Sequence, residues 1–277
     1  MPSSPKKSIL CPGCRKLINS DEPDCPYCGL TRPGSMLKRK FFRKPEDVIK
    51  VIIYSNIAIY IFSLLLAPFN PGSPANPLTF LAPSNNSLLL LGATGTIPID
   101  QLDRWWTLVS ASFIHGGILH IFFNMLAFRQ LGPFVLREYG FDRFIIIYLI
   151  SGIAGFYLSY LAGVHLTIGA SAGICGMIGA ILYYGKSRGG FYGEAIYKQA
   201  MGWVTGLALF GLIIPGINNW GHGGGIAAGI LIGFSLGYKE KKEGGLLNQM
   251  LANGLILLTV IILLFAILQA IYYRFLI

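Results

Sequence analysis

The sequence is poor in charged side chains, and in acidic ones above all. Asp, Glu, Lys and Arg make up 12% of its 277 residues, and only 12 residues are acidic. A soluble domain carries about 25% charged residues, so the composition disfavours an ordinary water-soluble enzyme. It also excludes disorder, because 53% of the residues are hydrophobic and disordered chains lack that much apolar surface. The composition therefore indicates a polytopic membrane protein, in keeping with a mean hydropathy of +0.59.

Glycine, in contrast, is abundant, with 35 residues where average usage gives about 20. The excess has no collagen-like period, so it indicates closely packed membrane helices. A net charge of +10 would by itself suit nucleic-acid binding. The basic residues, however, fall in short clusters between apolar runs, which is typical of the positive-inside bias of membrane proteins. We therefore expect a lipid bilayer and no nucleic acid as partner.

Seven apolar runs are long enough to cross a bilayer as helices, for which about 20 residues are needed. They cover residues 48–67, 114–136, 144–163, 168–185, 197–214, 222–238 and 247–273. Lysine and arginine cluster before the first run and after the second, fourth and sixth, whereas the opposite side carries only Arg104 and Arg274. This asymmetry predicts an odd number of spans, a cytoplasmic N-terminus and an external C-terminus.

Four of the five cysteines form two Cys-x-x-Cys pairs near the N-terminus, Cys11 with Cys14 and Cys25 with Cys28. Four thiolates match the tetrahedral preference of zinc, although the ten-residue gap between the pairs is shorter than in most zinc ribbons. Iron, a metal-free segment and disulfides are the alternatives. Disulfides are disfavoured because the predicted topology puts this segment in the reducing cytoplasm. We expect a small module with a structural Zn²⁺, whose further role the pattern leaves open.

Three of the apolar runs contain polar or reactive side chains, which are costly in a membrane and are therefore candidates for function. These side chains are His115, His120 and Asn124 in the second run, Ser171 in the fourth, and His222 at the start of the sixth. Taken singly, each has a plain structural explanation, such as interhelical hydrogen bonding or small-residue packing. By the predicted topology, however, they lie near the outer ends of their helices. A serine, imidazoles and an amide would then meet at one depth, as nucleophilic catalysis requires.

The ordered set of motifs resembles the rhomboid intramembrane serine proteases. The match lies in His120-Ile121-Phe122-Phe123-Asn124, in Gly169-Ala170-Ser171-Ala172-Gly173, and in His222 with its glycine-rich followers. The resemblance implies an all-α polytopic membrane protein with a six-helix rhomboid core and one extra C-terminal transmembrane helix. The expected domains are a zinc-ribbon-like module with four cysteine ligands (1–35), a basic linker (36–47), the core (48–240) and the additional helix (241–277).

The resemblance also implies peptide-bond hydrolysis within or near the membrane, with no cofactor for catalysis. Ser171 would attack the scissile carbonyl, and His222 would act as general base and then as general acid. The sixth run contains no acidic residue that could complete a triad. His120, Asn124 and the backbone N–H of Ser171 would form the oxyanion hole, with His115 in a supporting role. Substrates would be transmembrane segments of membrane proteins, and a bacterial plasma (inner) membrane is the expected location.

Two positions depart from the pattern of that family. Thr107 follows Trp106 where the family commonly has arginine, and Cys175 stands where an aromatic side chain usually packs on the catalytic imidazole. Neither departure removes a catalytic group. One alternative is a catalytically inactive rhomboid-like protein that binds transmembrane clients, whose usual mark is loss of the serine or the histidine. Another is a transporter or channel, but transporters usually contain internal repeats, and we find none in this sequence.

Overall fold

A computed structural model of the chain describes residues 8–11, 13–30, 33, 46–66, 80–239 and 245–275. The chain divides into two compact units, residues 1–47 and 48–277, and each is described by itself. Most of the predicted basic linker, 36–47, lies outside the described residues, as does part of the long segment between the first two apolar runs.

The N-terminal unit contains a short hairpin and two cysteine-bearing turns. Strand β1 (Ser8–Leu10) pairs antiparallel with strand β2 (Leu17–Asn19), and Ile9 lies opposite Ile18. Its core consists of the buried side chains of Cys11, Ile18 and Cys25. Three partly buried side chains pack against this core, namely Ile9, Cys14 and Leu30. So small a core cannot by itself stabilise a folded unit, so units of this size usually need a metal or disulfides.

The second unit is built from α-helices. In chain order the helices are α1 (Asp47–Leu66), α2 (Asn85–Leu91), α3 (Thr107–Ser110), α4 (Ile118–Tyr139), α5 (Phe141–Leu161), α6 (Ser171–Arg188), α7 (Gly190–Ile213), α8 (Asn219–Leu236) and α9 (Leu246–Phe275). Within the described part of the chain, seven of them have 18 residues or more, and each overlaps one of the seven predicted apolar runs, although α4 begins later than predicted and α7 earlier. The protein is therefore an all-helical membrane protein with a small cysteine-bearing module.

Four of the helices in the described ranges are long and apolar enough to cross a membrane by length and composition, namely α1, α4, α5 and α9. Helices α6, α7 and α8 do not meet that criterion, so the full count of seven spans stays a prediction. For α6 the physical reason is clear. Its residues from Ala172 to Leu182 are all buried, and a helix that other helices shield from lipid needs less apolar surface.

Helices α5, α6 and α8 pack backbone against backbone at glycine positions. A Cβ atom at Gly155 of α5 would lie 3.0 Å from Cβ of Ala172 in α6 and 3.2 Å from the backbone nitrogen of Gly225 in α8. A Cβ atom at Gly179 of α6 would overlap the carbonyl oxygen of Ile226 in α8. Side chains larger than hydrogen would push these helices apart, which is the close packing that the glycine excess predicts.

Side-chain hydrogen bonds stabilise the segment that connects α2 to α4. This segment includes Thr107, which stands where the family commonly has arginine. Nη1 of Arg104 donates to the carbonyl oxygen of Leu89 at 3.1 Å. The hydroxyl of Thr107 is 3.0 Å from Oγ1 of Thr94, and Thr94 forms an antiparallel bridge with Thr167 just before α6. Arg104 therefore supplies a side-chain donor to this segment. Thr107 contributes indirectly, because it bonds to Thr94, which in turn pairs with Thr167 in the segment that leads into α6.

Candidate active site and metal centre

The predicted catalytic side chains lie in the first turns of three helices. Ser171 is the first residue of α6, His222 belongs to the first turn of α8, and His120 to the first turn of α4. The first N–H groups of a helix have no partner within that helix, and the helix dipole makes this end positive. Negative charge that develops beside Ser171 would therefore be stabilised, as acyl transfer requires.

Ser171 and His120 meet at Gly169. The φ angle of Gly169 is +120°, and its N–H donates to the carbonyl oxygen of Ala111 at 2.9 Å. A Cβ atom at Gly169 would lie 2.6 Å from Nε2 of His120 and 3.8 Å from Oγ of Ser171. Only glycine combines this backbone conformation with space for the imidazole. The first glycine of the Gly-x-Ser-x-Gly motif therefore allows the ring of His120 to approach Ser171.

Hydrogen bonding determines which nitrogen of His120 can donate. The N–H of Gly116 donates to Nδ1 of His120 at 3.3 Å. Because Nδ1 accepts this bond, the neutral ring carries its proton on Nε2. Nε2 is the nitrogen nearest to the vacant Cβ position of Gly169, which Ser171 also borders. An N–H donor in this place lies on the side of Ser171 where an oxyanion-hole group would be needed.

Asn124 and His115 both contact His120. Asn124 lies one turn further along α4, and its Nδ2 donates to the carbonyl oxygen of His120 at 2.9 Å; the amide has a second N–H for another acceptor. His115 is fully buried, and its ring packs edge-to-face on that of His120 with centroids 5.1 Å apart. His115 precedes α4 rather than lying in it, because the helix begins only after two glycines.

His222 is brought towards Ser171 by the packing of α8 on α6. A Cβ atom at Gly225 would overlap the carbonyl oxygen of Ala172, so the two backbones touch one turn after His222 and one residue after Ser171. Nδ1 of His222 is buried and has no hydrogen-bond partner among the described residues. Helix α8 contains no acidic residue that could accept a hydrogen bond from this nitrogen.

Cys175 lies at the contact between α6 and α8, one turn after Ser171. Its side chain is 1% exposed, and a Cβ atom at Gly225 would be 3.1 Å from Cβ of Cys175. The position that is usually aromatic therefore holds a small side chain against a glycine. The close approach of α8 fills the space that a ring would otherwise occupy.

Sequence reasoning missed Asn218, which caps α8. Its Oδ1 accepts a hydrogen bond from the N–H of Gly221 at 2.9 Å. The signal was present, because asparagine is one of the preferred N-cap residues and here precedes a helix directly.

The four cysteine sulfurs form a cluster that could bind a metal ion. All four Sγ atoms lie within 4.8 Å of one another, with 3.7 Å between Cys11 and Cys28 and 3.6 Å between Cys14 and Cys25. Tetrahedral zinc with Zn–S bonds of about 2.3 Å requires sulfurs about 3.8 Å apart, so the cluster fits this metal. A hydrogen bond from the backbone N–H of Cys14 lowers the pKa of the Cys11 thiol to about 7, which favours the thiolate that a metal needs. Although a backbone hydrogen bond from Leu30 acts in the same direction on Cys28, burial and the neighbouring sulfurs outweigh it and raise the pKa of the Cys28 thiol to about 12.

The two cysteine-bearing turns share a pattern of backbone hydrogen bonds. In each, the first cysteine donates to the carbonyl five residues later and accepts from the N–H four residues later, and all four distances are 2.9 Å. The residue after the second cysteine has a positive φ in both turns, 59° at Arg15 and 71° at Gly29. The left-handed conformation costs a non-glycine residue about 1 kcal/mol. The first turn adopts it without glycine, so the geometry of the thiol cluster outweighs this cost.

Comparisons with known proteins show which family the chain resembles. Residues 102–239 match the family model of the Rhomboid domain. RHOMBOID-like protein 4 of Arabidopsis thaliana is 35% identical over 168 residues, which are 58% of this chain and 41% of that protein. Rhomboid protease GluP of Bacillus subtilis (strain 168) is 31% identical over 207 residues, which are 73% of this chain and 39% of that protein. RHOMBOID-like protein 6, mitochondrial, of Arabidopsis thaliana is 31% identical over 165 residues, 59% of this chain and 54% of that protein.

The chain therefore spans between 39% and 54% of the length of these three relatives. The matched residues, 102–239, include all the candidate active-site side chains. The cysteine cluster lies before the matched range.

Proposed function

The chain belongs to the rhomboid family, and from that premise we propose that it is a serine-type endopeptidase that cleaves transmembrane segments of membrane proteins. The proposed catalytic pair is Ser171 and His222. The observation that carries the proposal is the meeting of Ser171 with the donor nitrogen of His120 at Gly169, at the end of α6 that packs on α8. A relative described as a protease, GluP, supports the same reaction class.

In the proposed reaction, Oγ of Ser171 attacks the scissile carbonyl and transfers its proton to His222, which then protonates the leaving amine. The Nε2–H of His120, an amide N–H of Asn124 and the backbone N–H of Ser171 stabilise the oxyanion. Water then releases the acyl group with His222 again as base. Loss of one oxyanion donor is expected to raise the barrier by about 3 kcal/mol. None of these steps needs a cofactor.

The test is cleavage of a model transmembrane substrate by the purified chain in proteoliposomes, together with labelling by a fluorophosphonate probe. We expect Ser171→Ala and His222→Ala to abolish cleavage, whereas His165→Ala, at an exposed histidine, leaves it intact. Labelling of Ser171 without cleavage would support the serine nucleophile and reject only the chosen substrate. A folded parent that is neither labelled nor active would contradict the proposal and favour the inactive, client-binding alternative.

We further propose that the four-cysteine cluster binds one structural Zn²⁺. The donor set and the sulfur separations support this metal. Elemental analysis of the purified chain should find about one zinc per chain, in line with a single tetrahedral site. Cys11→Ser should lose the metal, whereas Cys175→Ser, at a cysteine far from the cluster in sequence, should retain it. Zinc that persists in Cys11→Ser, or its absence from the parent, would refute this assignment.

The proposed organisation is the module at 1–35, a basic linker at 36–47, the core at 48–240 and the additional helix at 241–277. The N-terminus is proposed to be cytoplasmic and the C-terminus external, in a bacterial plasma membrane, on the strength of the distribution of Lys and Arg. Reporter fusions at the two ends test this orientation. It would be contradicted if both reporters lay on the same side of the membrane, or if the N-terminal reporter lay outside.

A further inference from the structure

The side chain of Asn218 joins three elements of the helical unit. Its Nδ2 donates to Oγ of Ser159 in α5 and to Oγ1 of Thr167, in the segment that leads to Ser171, and both distances are 2.8 Å. Its Oδ1 accepts the N–H of Gly221 in the first turn of α8 at 2.9 Å. Both amide hydrogens and the amide oxygen therefore have partners.

The partners of Asn218 determine which way its amide faces. The N–H of Gly221 can only donate, so the atom opposite it must be the amide oxygen. The hydroxyl of Ser159 already donates to the carbonyl oxygen of Gly155 at 2.8 Å, so towards Asn218 it must accept. An asparagine amide satisfies both requirements at once.

The three bonds connect the two halves of the proposed catalytic pair. Thr167 lies four residues before Ser171 and is itself held by two backbone hydrogen bonds with Thr94, of 2.7 and 3.0 Å. On the other side, the N–H of His222 donates to the backbone carbonyl of Asn218 at 3.1 Å. One residue therefore links the segment before the serine to the helical turn that carries the histidine.

Such a link is needed because no acidic residue orients the imidazole. In a serine–histidine–aspartate triad, the carboxylate holds the ring through Nδ1. Here Nδ1 of His222 is buried without a hydrogen-bond partner among the described residues. The position of the ring must then come from the backbone of α8, and Asn218 fixes where that backbone begins.

We propose that Asn218 is a positioning residue, which holds the first turn of α8 in register with the segment before Ser171 through its bonds to Thr167 and Gly221. The inference rests on the proposed function. A displacement of about 1 Å at a reacting group can cost about 100-fold in rate. We call the hydrogen bond from Nδ2 of Asn218 to Oγ1 of Thr167 the tie. Its loss should slow the chemical step rather than weaken substrate binding.

The experiment separates the cap on α8 from the tie to Thr167. Asn218→Ala removes both, whereas Thr167→Val keeps the shape of the side chain and removes only the tie. Thr167→Ser restores the hydroxyl, and Asn219→Ala is the matched control, because it removes a hydrogen bond from the neighbouring asparagine to Gly211 on the exposed side. For each variant, kcat and KM for a model transmembrane substrate are measured beside the thermal midpoint.

We expect Asn218→Ala and Thr167→Val each to lower kcat by about tenfold or more, with KM changed by less than about twofold, because only the reacting geometry is altered. Thr167→Ser and Asn219→Ala should stay near the parent. The double variant Asn218→Ala/Thr167→Val should be no slower than Asn218→Ala alone, because both changes remove the same tie.

Three results would overturn the inference: a kcat for Thr167→Val equal to that of the parent, additive losses in the double variant, or losses of kcat in all variants that simply follow their thermal midpoints. Failure of the proposed function is recognised separately, because the parent would then neither cleave nor label at Ser171. In that case hydrogen exchange at residues 219–223 still tests the tie, and unchanged exchange in Thr167→Val would refute it.

Discussion

Helices α6 and α7 follow each other in the chain and have similar glycine contents, yet their surroundings differ. Helix α6 has four glycines in 18 residues, and α7 has five in 24. Thirteen of the 18 residues of α6 are buried, whereas only Gly193 and Ala200 are buried in α7. The same residue type therefore has two different roles in adjacent helices.

The difference lies in what each glycine faces. In α6, a Cβ atom at Gly176 would overlap Ser151 of α5, and one at Gly179 would overlap the backbone of α8. In the middle of α7, Gly202 and Gly206 have nothing within 4 Å of their Cβ positions. Glycine in α6 allows contact between backbones, and the helix that carries Ser171 is thereby held on several sides. Glycine in the middle of α7 has no such partner among the residues that the structure describes.

The largest expected effect is at Gly179 of α6. Its neighbours are backbone atoms of Ile226 and Ile230 in α8, which cannot rotate away as a side chain can. Gly179→Ala should therefore lower the free energy of unfolding by about 3 kcal/mol, near the upper end of the usual range for overpacking. Unfolding in mixed detergent micelles measures this change. A loss below about 1 kcal/mol would mean that α6 and α8 separate easily, and the contrast with α7 would disappear.

A second effect is expected where α6 begins. Gly169→Ala combines a positive φ with a Cβ atom against His120, so we expect kcat/KM to fall by about 100-fold, the loss typical of one oxyanion donor. Gly163→Ala is the control, because Gly163 also has a positive φ (78°) but nothing within 4 Å. Its strain of about 1 kcal/mol should affect stability alone. Equal activities of the two variants would show that the space beside His120 is not needed.

The smallest effect is expected in the middle of α7. Gly206→Ala meets no neighbour, so only helix propensity changes, and the free energy of unfolding should rise by about 0.5–1 kcal/mol. Cleavage of the model substrate should be unchanged. The same unfolding measurement tests this, with Gly179→Ala as the paired variant. A decrease in stability would reveal a packing partner for α7 and weaken the comparison.

Much of the fold follows from local properties of the chain. The positions of the long helices could be predicted because apolar runs of this length have few alternatives in a membrane. The cluster of four cysteines was recognisable because a Cys-x-x-Cys turn brings its two sulfurs together within four residues. The active-site candidates could be named from their motifs, but His115 was assigned to a helix that in fact begins after it.

Other features of the site were beyond sequence reasoning. The proton on Nε2 of His120 depends on a bond from Gly116, and the importance of Gly169 depends on where that imidazole lies. The N-cap role of Asn218 has a local signal, but its bonds to Ser159 and Thr167 could not be predicted, because these partners are 59 and 51 residues away in the chain. No local pattern shows such contacts.

The sequence by itself determined that this is a helical membrane protein, where its long helices lie, and which thiols, imidazoles, amide and hydroxyl are available for chemistry. These properties depend on hydropathy and on short spacings, which act within one element of the chain. Only the tertiary structure decided which glycines touch another backbone, which nitrogen of His120 donates, and how the turn before Ser171 is joined to the turn of His222. Those properties depend on distances between elements, which arise only when the helices pack.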